Sequence, residues 1–290
     1  MQNVEQKRRL MCALKVDTHQ HFWNLNKVEY TWLSPAFEPI YKTFTPQDLE
    51  PQLKAAGIDK TVLVQSANNN EDTVSMLTQA ECYDWIGAVV GWVPLIDTTE
   101  AAKLLDRYGR HPKFRGVRHL NHDEPDPDWL VREDVLAGVN LLEERNLAFD
   151  VVAIFPKHIG HVPAIANRAP NLKIVIDHLA KPPIKSGKIK DWKVTMKAAA
   201  QCPNVYAKIS GLNTAAGANW TADELKPYID AAIELFGAER CMFGSDWPVA
   251  VMNGNYAKVW KETRAALKGY TRKEIDAILG GTAMTVYGIE

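Results

Sequence analysis

Short apolar runs rich in β-branched residues alternate along the chain with longer stretches whose apolar positions recur every three to four residues. The first pattern suits strands buried on both faces, the second amphipathic helices. Eight runs read as strands: 16–21, 61–65, 86–93, 114–119, 148–153, 173–178, 205–210 and 241–246. Each is bounded by polar, Gly or Pro positions. Helical periodicity fills the gaps, over 71–83, 100–108, 133–145, 161–167, 190–201, 221–236 and 255–267. Ahead of these, Thr45 followed by Pro46 reads as an N-cap with proline in the first turn of a helix running to Ala56-Gly57. A last helix opens on a Thr271-x-x-Glu274 capping box and is expected to stop at Gly280-Gly281.

Eight strands, most followed by a helix, predict a (β/α)8 barrel of the α/β class. A doubly wound open sheet is the alternative, but no Gly-rich fingerprint follows the first strand. Residues 1–11 read as an N-terminal arm and 12–290 as a single barrel domain without linker or internal repeat. Between the first strand and the first helix lies a long aromatic segment, 22–44. A long loop after a barrel strand is expected to cover the site.

Composition narrows the function classes. A formal net charge of -1 over 290 residues offers no basic face for nucleic acid or an anionic membrane. No run of apolar residues is long enough to span a bilayer. Cys12, Cys82, Cys202 and Cys241 form no CxxC pair, so a reducing cytoplasm is the expected setting. Oligomerisation is left open.

Candidate chemistry sits at the strand ends, where such barrels carry their sites. His19 and His21 end the first strand and share one face. Gln65 ends the second, Trp92 the third, Arg118-His119 the fourth, Asp177-His178 the sixth and Asp246 the eighth; Asp150 and Lys208 lie in the fifth and seventh. So many polar groups at the ends of apolar strands cost too much to serve as core filler alone. His19, His21 and Asp246 form a candidate metal set. Asp246, His178 and Arg118 are candidate catalytic groups, although Arg118 could instead pair with Glu133 or Asp134. Lys208 reads equally as a binding cation or a partner of Asp246. Trp23, Gln65, Trp92, Lys208 and Trp247 are candidate substrate contacts. His158-Ile-Gly-His161 has ligand-like spacing but reads as a solvated helix start.

His19-Gln20-His21-Phe22-Trp23, Asp177-His178-Leu179-Ala180-Lys181-Pro182 and Phe243-Gly244-Ser245-Asp246-Trp247-Pro248 together resemble the amidohydrolase superfamily. More narrowly they resemble its lactonase branch, which includes hydrolases of L-fuconolactone and L-rhamnonolactone. Val62–Gln65, Val90–Val93 and Arg115–Arg118 fit the same branch, and the likeness spans roughly 14–288. The resemblance implies a distorted (β/α)8 barrel that hydrolyses the ester bond of a small lactone. By position, His19 and His21 match first-strand ligands, His178 the sixth-strand histidine and Asp246 the general base. It also implies one divalent metal ion, zinc first, although relatives in this branch work without one and the fifth strand lacks a histidine ligand. A decarboxylase of an unsaturated acid, a dicarboxylate lactone hydrolase and a non-catalytic sugar-acid binder are rival readings. A single well-placed arginine favours a neutral sugar lactone.

Overall fold

The computed structural model describes residues 14–290; the expected arm 1–11 lies outside them. Eight strands run in the order β1 to β8: Val16–Gln20, Lys60–Val64, Ile86–Gly91, Phe114–His119, Ala148–Val151, Lys173–Ile176, Val205–Ile209 and Cys241–Phe243. Each pairs in parallel with the next. The Gln20–Trp247 bridge and the bond from Thr18 Oγ1 to the Phe243 carbonyl (2.6 Å) draw β8 back onto β1. The (β/α)8 barrel follows, and the open doubly wound sheet does not.

Chain chemistry places most helix starts where the sequence puts them. Thr45 and Asp48 form a capping box for the helix Pro46–Ala56, with Gly57 left-handed at its end. Asn69, Asp97 and Asn255 accept bonds from the first turns of Asn70–Cys82, Thr98–Tyr108 and Tyr256–Ala266.

The strands divide two cores. One lies outside the barrel, between strands and helices. The other is inside and small, built from Val16, Val62, Val64, Ala88, Val90 and their neighbours, and closed at the bottom by Val286, Tyr287 and Ile289 from the chain's end. This explains a misread boundary. The last helix does not stop at Gly280-Gly281; a π turn over Ala277–Gly281 leads into a further helix, Thr282–Tyr287, whose residues plug the barrel. Gly280 is there for close approach, since a Cβ on it would stand 1.6 Å from the Leu14 carbonyl oxygen.

Strand ends also differ from the sequence expectation. The sixth and eighth strands stop at Ile176 and Phe243, before Asp177-His178 and Asp246, and the backbone then turns left-handed at 178–181 and at 246. The third stops at Gly91 and the fifth at Val151.

Gly280→Ala is expected to lose about 1–3 kcal/mol of stability, the usual cost of overpacking a filled contact. Urea unfolding with intrinsic fluorescence measures it, and an unchanged midpoint would contradict the close packing on Leu14.

Candidate active site

The β1 register breaks between Asp17 and Gln20. Val16 therefore points into the barrel, and so does His19 three residues later, which regular alternation would forbid. Asp17, turned the other way, accepts from the Ser245 amide at 2.8 Å and the Tyr256 hydroxyl at 3.0 Å, fastening β1 to the loop that carries Asp246. Burial raises its pKa to about 6, against the pull of those hydrogen bonds.

Below the barrel mouth lies a layer of buried charge. Lys208 has no exposed surface and is ion-paired to Asp150 and, at 3.3 Å, to Asp177. The Tyr287 hydroxyl donates to Asp150 at 2.9 Å. Asp177 also accepts from Arg118 Nη1 at 3.0 Å and lies 3.3 Å from His19 Nδ1. Burial alone would push the Asp177 carboxyl up; Lys208, His19 and Arg118 outweigh it and hold it well below the usual carboxylate range. Arg118 Nη2 also donates to the Gln65 carbonyl.

Above this layer His19, His21, His178 and Asp246 converge. His19 Nε2 is 3.1 Å from His21 Nε2 and 3.8 Å from Asp246 Oδ1. Asp246 Oδ1 lies 3.5 Å from His21 Nε2 and 4.0 Å from His178 Nε2. His21 Nδ1 donates to the Val64 carbonyl at 2.7 Å, which leaves Nε2 as the lone pair facing inward. Burial lowers the pKa of all three histidines, that of His178 to about 4. Burial also works against ionised Asp246, but His178, His21 and His19 outweigh it and hold its carboxyl far below the ordinary value.

Backbone strain aims these groups. His178, Leu179, Ala180 and Lys181 all have positive φ, between 49° and 60°, and Asp246 has φ 59°. Such a run costs roughly 1–2 kcal/mol per residue. It turns His178 into the mouth directly after inward-facing Asp177, where a continuing strand would send it outward. His178 Nδ1 rests on Ser210 Oγ at 2.9 Å. Gly211, at φ 61°, leaves the room: a Cβ there would stand 2.7 Å from His178 Nδ1 and 2.9 Å from Asp246 Oδ2.

A cavity of 460 Å³ opens over the cluster. His21, Arg118, His178 and Asp246 line it, so four expected site residues reach it. Trp23, Gln65, Trp92, Lys208 and Trp247, expected as substrate contacts, do not line it. Lys208 lies beneath the floor and Gln65 behind Arg118. Trp92 turns onto His119, donating to its Nδ1 at 3.0 Å, and Trp23 and Trp247 pack on Phe44. The aromatic wall comes instead from Trp32 and Phe37 in the long loop. Arg118 pairs with Asp177, whereas Arg132 takes Asp134. His122, Asp123 and Lys181 also line the cavity, and reasoning from strand ends does not point to them. His158 is buried, contrary to the solvated reading.

The donor set fits a cation. His19, His178 and Asp246 offer ligand atoms all within 4.8 Å of one another, so His178 joins His19 and Asp246, and His21 Nε2 faces the same point. Nitrogen lone pairs and a carboxylate oxygen converging this closely call for a shared proton or a metal ion between them. With neutral histidines, the three carboxylates of Asp150, Asp177 and Asp246 against Lys208 and Arg118 leave a formal charge of -1 (two minus three), which favours a cation in the site.

Comparison with known proteins agrees with this architecture. The amidohydrolase family model matches residues 16–289. An L-fucono-1,5-lactonase of Burkholderia ambifaria is 41% identical over 244 residues, 84% of this chain and 83% of that protein. One from Burkholderia multivorans is 32% identical over 96% of this chain and 97% of its own. A solved amidohydrolase from Burkholderia multivorans with bound zinc superposes with TM-score 0.88 at 29% identity, covering 96% of this chain and 100% of that one.

Replacing Lys208 with Met should cost about 3–5 kcal/mol, because Asp150 and Asp177 lose their shared buried cation. Adding Asp150→Asn should restore part of it. Denaturant unfolding of both variants measures the difference, and equal stabilities would contradict the shared-cation account.

Proposed function

The chain belongs to the amidohydrolase family, and on that premise we propose that it opens the ester bond of a sugar-acid lactone. The observation that carries this reading is Asp246: one carboxylate oxygen within 4.0 Å of three imidazole nitrogens, on the wall of a cavity that Arg118 shares. The two L-fucono-1,5-lactonases support the substrate class.

In the proposed reaction, water bonds to the lactone carbonyl carbon while Asp246 accepts its proton. Arg118 donates toward the oxygen that becomes anionic. As the carbon–oxygen ring bond breaks, Asp246 returns the proton to the leaving oxygen, with His178 holding the carboxylate in place. A carboxylate held so strongly ionised is a weak base. This suits an ester carbonyl, which is more readily attacked than an amide. Trp32 and Phe37 offer apolar faces to the ring.

His19, His178 and Asp246 would hold one zinc ion, with His21 beside it. Such an ion supplies Lewis-acid polarisation and acidifies bound water.

Asp246→Asn should lower kcat by about 10²–10⁴-fold with its melting temperature kept near the parent's. A pH-indicator assay across sugar lactones reads the acid released; near-normal turnover would remove the general-base role, and carbon dioxide release in place of lactone opening would favour a decarboxylase. Elemental analysis should find roughly one zinc per chain, the stoichiometry of a mononuclear site. Chelation should lower activity and added zinc restore it, whereas full activity in metal-free protein would leave the oxyanion to Arg118.

A further inference from the structure

Ser66 lies two residues past the end of β2, and its backbone is fastened on both sides. Its amide donates to Asp72 Oδ2 at 2.7 Å, and its carbonyl accepts from Trp32 Nε1 at 2.7 Å. Asp72 is itself buried and also accepts from the Ala67 amide at 3.1 Å. The Ser66 hydroxyl, by contrast, has no hydrogen-bond partner among the described residues, although Ser66 is only 3% exposed and lines the cavity. Fastening the backbone requires no side-chain oxygen; alanine would serve as well. A hydroxyl that gives up water without a protein partner is unfavourable in the protein by itself. In a cavity wall it is accounted for when a ligand atom completes it.

Its position says which atom. Arg118 Nη2 donates to the Gln65 carbonyl, the oxygen of the peptide bond that joins Gln65 to Ser66. His21 Nδ1 donates to the Val64 carbonyl on the same strand end. The peptide bond that leads into Ser66 therefore touches the guanidinium that faces the lactone carbonyl in the reading above, and Ser66 and Arg118 line the same cavity. In a sugar-acid lactone the polar group next to the carbonyl is the hydroxyl on the adjacent carbon. A serine hydroxyl can both donate to such a group and accept from it.

Resting on the lactonase reading, we propose that Ser66 is a specificity-determining contact whose Oγ hydrogen-bonds the hydroxyl on the carbon adjoining the lactone carbonyl. The site then prefers 2-hydroxy lactones over 2-deoxy counterparts, because a group placed for a substrate hydroxyl is left unpaired by an analogue lacking it.

The test compares parent and Ser66→Ala on a sugar lactone and its 2-deoxy analogue, with thermal melting of both proteins. The parent should favour the 2-hydroxy lactone, and Ser66→Ala should shrink that preference about tenfold, mainly through KM. Its melting temperature should equal or exceed the parent's, since an unpaired buried hydroxyl has been removed. An equal loss on both lactones, or a lower melting temperature with the preference intact, would overturn the proposal in favour of a catalytic or structural role. A parent that opens neither lactone would overturn the lactonase reading and this one with it; a parent that opens both equally well overturns only this one.

Discussion

The site depends on one buried cation. Lys208 sits at the centre of the barrel, joined to Asp150 below and Asp177 above, with its Nζ 3.2 Å from His19 Nδ1. Coulomb attraction between charges at this separation is strong in a medium that water does not reach, and so is the penalty for stranding any one of them. Tyr287 from the C-terminal plug completes Asp150, and Arg118 completes Asp177. Charge thus links the bottom of the barrel to the histidines at its mouth. The apolar interior beneath it is small, so this layer fills space that side chains of other barrels fill with hydrocarbon.

Such a layer is a poor source of net stability, because desolvation consumes much of the attraction. Its value is positional. Asp177 contacts His19 and Arg118 from one carboxylate, one oxygen toward each. The strained turns do the same from the other side. Four left-handed residues hold His178 beside Asp246, with the Trp192 indole donating to the Leu179 carbonyl at 2.8 Å and the Phe155 amide to that of Ala180 at 2.8 Å. Strain of this kind persists where surrounding bonds over-determine it, and it clusters at functional sites.

The eight strands were legible because burial on both faces leaves an unbroken apolar run. His19, His21, His178, Arg118 and Asp246 were legible because they interrupt such runs at one end. What could not be read was direction. The register break in β1 and the left-handed turns at 178–181 and 246 decide which side chains reach the cavity, and neither follows from period-two alternation. Asp177 was therefore passed over beside His178, although it holds more of the site together. The tryptophans lie off the cavity for a related reason. Those next to strand ends looked nearest the mouth, whereas Trp23 and Trp247 are spent packing on Phe44, and the cavity takes Trp32 and Phe37 from farther along the loop.

That division of labour has a consequence for how the site is assembled. Trp32, which lines the cavity, is pinned to the Ser66 carbonyl, while Tyr30 from the same loop donates to Asp72, 3.4 Å away. Asp72 in turn holds the Ser66 amide. The loop and the end of β2 therefore share one set of bonds, so the aromatic wall and Ser66 are placed together. A change in the loop that shifts Trp32 must also disturb Ser66, and through the Gln65–Ser66 peptide it must disturb a hydrogen bond of Arg118. On the proposed lactonase reading, substrate shape and carbonyl polarisation would in this way be set by the same few atoms, which is why loop substitutions here should alter selectivity and rate together.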